Sequence, residues 1–154
     1  MSNARSFHYA FKIKDIQSTR EFFIDILGCE EGRSTENWID FDFFGNQLSA
    51  HISKDIPDLD YCGKVDGVSV PIPHFGCILT LDQFIGIRNR METAKVEFII
   101  KPQVRYEGQD AEQWTMFVLD YSNNPIELGN VYFEVLSKVN SCPKVKKVQI
   151  SDAK

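Results

Sequence analysis

Apolar and polar residues alternate between Phe7 and Ile13, and this spacing predicts a strand with one buried face. His8 lies near the start of this strand, on its polar face. Asp15 follows and suits the first position of a helix, because its carboxylate can accept a hydrogen bond from a free backbone amide. The helix is predicted from apolar residues at helical spacing, with a glycine as its stop: Ile16, Phe23, Ile26, Leu27 and Gly28.

The same order of elements occurs a second time along the chain. His74 begins another predicted strand, and Asp82 is placed at the start of a second helix. The two histidines are 66 residues apart and the two aspartates 67, which indicates an internal duplication. We therefore divide the chain into a first module, a connector, a second module and a C-terminal extension, at 1–53, 54–72, 73–130 and 131–154. The acidic connector contains two prolines and two glycines and is predicted to be a solvated loop.

The first module is predicted to end in a hairpin between residues 38 and 53. Gly45-Asn46 suits a two-residue turn, and counting away from it sets Asp40 opposite His51. Polar residues then face polar ones and apolar residues face apolar ones, as a correct register requires. Asp42 falls on the same polar face as these two side chains.

A second hairpin is predicted between residues 114 and 128, with a longer loop between its strands. If that loop contains four residues, Glu127 lies opposite Val118. Met116 and Trp114 then share the face of Glu127. We interpret both as packing residues, with a place in a pocket wall as the alternative.

The three histidines of the chain are His8, His51 and His74, and all are predicted to lie in strands. In the duplicated plan, His8 and His74 take equivalent places near the start of the first strand of each module. His51 and Glu127 take equivalent places in the last strand of each. A single strand histidine is more often structural than functional, but three imidazoles and a carboxylate that converge form a suitable ligand set for a divalent transition metal.

Composition limits the classes of function that fit this chain. It has 154 residues, a formal net charge of −5 and an isoelectric point near 5.2, which argues against a nucleic-acid-binding surface. No apolar run is long enough to span a bilayer, and the first residues lack the apolar segment of a signal peptide. Four cysteines without a paired spacing indicate reduced thiols. We therefore expect a cytoplasmic protein that binds a small molecule, and neither a membrane nor nucleic acid.

Several short motifs resemble the vicinal oxygen chelate superfamily, which includes glyoxalase I, extradiol dioxygenases, fosfomycin-resistance enzymes and bleomycin-resistance proteins. The resemblance covers about residues 6 to 130. It is carried by the His8 strand with Lys14-Asp15-Ile16, Phe22-Phe23 before Ile26-Leu27-Gly28, Met116-Phe117 before Asp120, and Asn124-Pro125-Ile126-Glu127-Leu128. It implies an α+β fold in which two tandem βαβββ modules form a curled mixed sheet and a cleft. It further implies a homodimer and four metal-ligand positions, at His8, His51, His74 and Glu127.

The resemblance leaves three functions open. A glyoxalase-like isomerase or lyase, with all four ligands and Glu127 as the proton-transfer base, is favoured because His51 stands at the fourth position. An extradiol-type dioxygenase would hold Fe(II) with His8, His74 and Glu127 alone. A bleomycin-type binding protein would need no metal. The metal itself is one of Fe, Mn, Ni, Co or Zn, and the candidate pocket residues are Asp40, Asp42, Trp114 and Met116.

Overall fold

The computed structural model describes residues 5–131. The elements of this part of the chain are, in order, β1 His8–Ile13, α1 Ile16–Arg20 with a π-helical continuation Glu21–Ile26, β2 Glu30–Ser34, β3 Trp38–Phe43, β4 Asn46–Ile52, β5 Gly63–Val65, β6 Val68–Val70, β7 Phe75–Ile78, α2 Leu81–Thr93, β8 Phe98–Arg105, β9 Gln113–Leu119 and β10 Pro125–Val131. Of the predicted extension 131–154, Val131 ends β10 and the remainder lies outside the described residues. No helix between residues 5 and 131 is long and apolar enough to cross a membrane.

The strands form two four-stranded sheets with the same plan. Their orders are β1-β4-β3-β2 and β7-β10-β9-β8. In each sheet the first strand pairs in parallel with the last, and the remaining pairs are antiparallel. A helix connects the first strand of each unit to the others. The predicted fold class is confirmed: an α+β chain of two tandem βαβββ modules.

The helices begin where side chains replace the missing backbone partners of the first turn. Asp15 Oδ1 accepts a hydrogen bond from the Ser18 backbone N–H at 2.7 Å, so the predicted start of α1 is confirmed. The prediction for α2 is wrong, because Thr80 and not Asp82 caps it. Thr80 and Gln83 exchange hydrogen bonds between side chain and backbone, at 3.2 and 3.0 Å. This reciprocal pair satisfies two backbone donors at once, which a single aspartate in the first turn does not.

One hydrophobic core joins the two modules. It contains fully or nearly buried residues from both helices and from the inner faces of both sheets, among them Phe11, Phe41, Phe84, Met116 and Ile126. Tyr9 and Phe75 link the two first strands, with ring centroids 5.1 Å apart. Because the inner faces pack on this shared core, the polar face of each sheet is free to form a groove of its own.

The connector is more ordered than the sequence predicts. Within 54–72, β5 and β6 form a short antiparallel hairpin. Val70 from this hairpin packs with Phe117 in a small second cluster. At its turn, Asp66 Oδ1 accepts a hydrogen bond from Arg105 Nη2 at 3.1 Å. These contacts with the second sheet are distant in sequence, which explains why a short polar segment with prolines gave no strand signal.

The strand before the second hairpin also differs from expectation. The sequence pattern predicts a strand at 96–100 and a polar insertion at 101–111, whereas β8 continues to Arg105. Its pairing with β9 shifts register twice, on either side of Ile100. Such irregularities interrupt the alternation of side chains, so a pattern of period two ends too early.

Candidate metal centre

The first hairpin turns one residue earlier than predicted. Phe44-Gly45 forms the turn, and both residues have a positive φ, of 53° and 88°. Asp40 consequently pairs with Ser49, and His51 pairs with Trp38. The predicted register is wrong by two residues. Since side chains alternate with period two, this error leaves the predicted polar face unchanged.

The predicted register of the second hairpin is wrong by one residue, and this error has a larger consequence than the first. Glu127 pairs with Phe117, and Met116 pairs with Leu128. A shift of one residue moves side chains to the opposite face of the sheet. Met116 is fully buried in the core, which agrees with its interpretation as a packing residue and excludes the alternative place in a pocket wall. Trp114 packs partly on the same core, with its ring centroid 6.0 Å from that of Phe84, and it also lines the groove of the second sheet.

His74 and Glu127 meet on the polar face of the second sheet. His74 lies directly before β7 rather than within it, and its Nε2 is 3.4 Å from Glu127 Oε2. Thr115 Oγ1 donates a hydrogen bond to Glu127 Oε1 at 3.0 Å. The two side chains border an open groove of about 530 Å³ that is also lined by Arg105 and Ile78.

The hydrogen bonds of His74 determine what its ring can bind. Its Nδ1 lies 2.8 Å from the carbonyl oxygen of Pro71, which can only accept, so Nδ1 carries the proton. In the neutral ring Nε2 then presents a lone pair to the Glu127 carboxylate. Two acceptors that face each other need a proton or a cation between them. A backbone carbonyl behind the ring is also the usual partner of a metal-binding histidine, so the pair fits a divalent metal.

His8 and His51 do not meet within one chain. His8 pairs with Gln47, whereas His51 pairs with Lys12, four residues further along the parallel strands. At about 3.3 Å per residue, this separates the two histidines by about 13 Å, too far for one ion. His51 instead stacks on Trp38, with ring centroids 6.2 Å apart.

The strand registers also identify the true counterpart of Glu127 in the first module. Ala10, two positions after the first histidine, pairs with Ser49. Gly76, two positions after the second, pairs with Glu127. Ser49, and not His51, therefore occupies the equivalent place. The sequence predicts His51 because it lies on the polar face of the last strand of its module, but the parallel register places Ser49 at the equivalent position.

The polar face of the first sheet carries a separate groove of about 310 Å³ around Asp40. Asp40 is 4% exposed and accepts hydrogen bonds from Ser49, Arg33 and Gln47. Burial raises the pKa of Asp40, but these hydrogen bonds outweigh it and hold the pKa below its usual value. Asp42 lines the same groove and is exposed.

The two grooves are built from different modules. Residues 74–129 line the groove of the second sheet, and residues 6–47 line the groove of the first. Within the described part of one chain, no three His, Cys, Asp or Glu side chains are grouped closely enough to hold a metal. The four predicted ligands are thus not brought together in one chain, although His74 and Glu127 are.

The lowered pKa of Asp40 predicts a specific loss of stability in acid. A carboxyl group whose pKa is lower in the folded than in the unfolded state stabilises the fold above the unfolded pKa, which is about 3.9. That stabilisation is lost as the pH falls through the folded value. Between pH 7 and pH 3, the free energy of unfolding should therefore fall more in the wild type than in Asp40→Asn, as measured by urea denaturation. The exposed Asp58→Asn should follow the wild type, and equal slopes for all three proteins would contradict this assignment.

Comparisons with known proteins agree with this architecture. No family model matches the sequence, and no curated protein was found to match it. Among solved structures, a glyoxalase/bleomycin resistance protein/dioxygenase from Alicyclobacillus acidocaldarius is 28% identical, with a TM-score of 0.67 over 86% of this chain and 95% of that one. The fosfomycin resistance protein FosX from Listeria monocytogenes is 17% identical, with a TM-score of 0.62 over 87% of this chain and 97% of its own.

A mutant of the same FosX was solved in complex with Mn(II) and 1S,2S-dihydroxypropylphosphonic acid. It is 17% identical to this chain, with a TM-score of 0.63 over 90% of this chain and 99% of its own. Paired βαβββ modules with an open polar face on each sheet thus place the protein in the structural class of the glyoxalases, bleomycin-resistance proteins and dioxygenases. The chain belongs to the vicinal oxygen chelate superfamily.

Proposed function

We propose that this protein is a divalent-metal-dependent enzyme that acts on a small oxygen-bearing substrate. The observation that carries the proposal is the pair His74 Nε2 and Glu127 Oε2, which lie 3.4 Å apart at the border of an open groove. Imidazole nitrogen and carboxylate oxygen are together suitable ligands for Mn, Fe, Co, Ni or Zn. The Mn(II) bound to a FosX of similar fold supports the choice of a divalent ion.

We place the third ligand, His8, on a second copy of the chain. His8 is the counterpart of His74 at the start of the parallel strand pair, and it is exposed. Its hydrogen-bond partner Gln47 lines the groove around Asp40, and that groove contains no residue of the second module. A homodimer in which the first module of each chain covers the second module of the other would complete two equivalent sites. It would also cover Phe7 and Ile78, which are 62% and 54% exposed.

The residues of the groove have distinct tasks in this proposal. When bound, the metal would supply a Lewis acid for adjacent oxygen atoms of the substrate. The Pro71 carbonyl holds the proton of His74 on Nδ1, and the Thr115 hydroxyl orients Glu127. Glu127 is the group that can take up a proton from the substrate. Arg105 also lines the groove, where its Nε lies 2.7 Å from Asp66 Oδ2, so its charge is paired with that carboxylate and links the groove wall to the connector hairpin.

An Fe(II) dioxygenase of the extradiol type is the second candidate. It is favoured by the location of His51, which the strand register separates from His8 by four residues. A glyoxalase-like isomerase with four protein ligands would need His51 as the fourth, and the strand register places His51 too far from His8 for that role. Two histidines and one carboxylate would leave three coordination positions open, as in non-haem iron oxygenases. Consumption of oxygen when the Fe(II)-loaded protein is mixed with catechols would support this candidate. No oxygen consumption would favour an enzyme in which the metal acts only as a Lewis acid.

The metal content of protein purified without oxygen tests the proposed function. Elemental analysis should find about one divalent ion per chain in the wild type and in His51→Ala, and almost none in His74→Ala, as expected for a site with three protein ligands. Loss of the metal in His51→Ala would instead support a site with four protein ligands that include His51. A wild type that binds none of these metals, even after incubation with each, would overturn the proposal.

A further inference from the structure

A chain of hydrogen bonds leads from a buried carboxylate to His8. Gln47 Nε2 lies 3.2 Å from Asp40 Oδ2, and Gln47 Oε1 lies 3.1 Å from His8 Nδ1. Asp40 is buried, whereas His8 is exposed. The half-buried amide of Gln47 therefore connects the buried carboxylate of the first groove to an exposed histidine.

The ionised carboxylate of Asp40 determines which group donates and which accepts in each of these hydrogen bonds. The hydrogen bonds that lower the pKa of Asp40 keep it ionised near neutral pH, and an ionised carboxylate can only accept. The –NH₂ group of Gln47 must then face Asp40, which turns its carbonyl oxygen toward His8. That oxygen also only accepts, so the His8 ring donates from Nδ1. Nε2 is left with its lone pair and without a proton in the neutral ring.

In the second module, His74 also carries its proton on Nδ1, but a different group holds the proton there. There, the Pro71 carbonyl oxygen accepts from Nδ1 of His74. In the first module, Ser49 occupies the position of Glu127 and donates to Asp40. The position that carries the Glu127 carboxylate in the second sheet thus carries, in the first sheet, a hydroxyl that binds the buried carboxylate of Asp40. Two unrelated arrangements that protonate the same nitrogen of two equivalent histidines indicate a shared requirement for a free Nε2.

We propose that Asp40 and Gln47 are positioning residues that hold the proton of His8 on Nδ1 and so prepare Nε2 to bind the metal. This inference rests on the proposed function for its purpose, but the state of the His8 ring is a property of the metal-free protein. Hydrogen bonds behind a ligand histidine fix its tautomer and orientation, and their loss typically lowers metal affinity by about 10- to 100-fold.

The hydrogen-bonded series Asp40, Gln47 and His8 forms a relay that fixes the His8 proton. Side-chain ¹⁵N NMR of the metal-free protein, at a pH where histidine is neutral, tests this relay directly. His8→Ala identifies the resonances of His8. We expect the wild type to carry the His8 proton on Nδ1, and Gln47→Met, which preserves the length of the side chain, to move a large share of it to Nε2. Gln17→Met, an exposed glutamine on α1, is the matched control and should leave the spectrum of His8 unchanged.

Titration with Mn(II) provides the second readout on the same variants. Gln47→Met should bind the ion about 10- to 100-fold more weakly than the wild type, while Gln17→Met should bind it equally well. A wild-type His8 protonated on Nε2, or an unchanged tautomer in Gln47→Met, would overturn the relay. The predicted tautomer in a protein that binds no metal would instead uphold the relay and contradict the proposed function.

Discussion

Glu127→Gln is expected to lower the affinity for Mn(II) by more than about a hundredfold, because it removes the only anionic ligand of the proposed site. The amide has nearly the same shape as the carboxylate and retains an oxygen for the hydrogen bond from Thr115. The fold should therefore be preserved while the charge that faces His74 is lost. Isothermal titration with Mn(II), together with elemental analysis, measures the effect.

The matched control for this experiment is Glu97→Gln. Glu97 is exposed and lies outside both grooves, so this variant makes the same change of net charge at a distance. It should bind Mn(II) like the wild type. Equal affinities of Glu127→Gln and the wild type would exclude Glu127 as a ligand.

Gly76→Ala is expected to destabilise the second module and to disrupt the same site. Gly76 lies opposite Glu127 in the parallel pair of β7 and β10, and a Cβ at this position would overlap the carbonyl oxygen of Glu127. Backbone atoms cannot yield as a flexible side chain can, so the strands would have to separate. We expect a loss of about 2–3 kcal/mol in the free energy of unfolding, with reduced metal binding.

A second glycine provides a control in which the same substitution should raise the free energy of unfolding. Gly86 lies within α2, and the nearest atom to an added Cβ is Arg90 Nη1 at 3.4 Å, an ordinary van der Waals distance. In the interior of a helix, Gly→Ala should stabilise by about 0.5–1 kcal/mol. Urea denaturation followed by circular dichroism measures both variants. Gly76→Ala with wild-type stability would show that β7 and β10 are not paired at this position.

The architecture was accessible from the sequence because its signals are local and repeated. The alternation around His8 and His74, with an apolar helix after each, was enough to indicate the duplication. The registers of the hairpins were not accessible, because they depend on where each turn closes. An error at Phe44 left the polar face intact, whereas the longer loop before Pro125 permitted an error of one residue that moved Met116 to the wrong face.

The candidate site was predictable only in part for the same reason. His74 and Glu127 were correctly placed as neighbours, since strand order within one module brings them together. His51 shares the polar face of the last strand with Ser49, and only the parallel register shows that Ser49 occupies the position equivalent to Glu127. The Pro71 carbonyl has no signal in the sequence, because every residue carries that group. Gln47 could have been found only by pairing the first strand with the last.

A mixed dimer distinguishes a metal centre shared between two chains from one formed within a single chain. His8→Ala and Glu127→Ala should each bind almost no metal as homodimers. In a heterodimer isolated with two affinity tags, one site would lose both mutated ligands and the other would keep His8, His74 and Glu127 intact. Such a dimer should bind about one metal ion, half of the wild-type content. A heterodimer that binds none would contradict a shared site, as would full metal content in the His8→Ala homodimer.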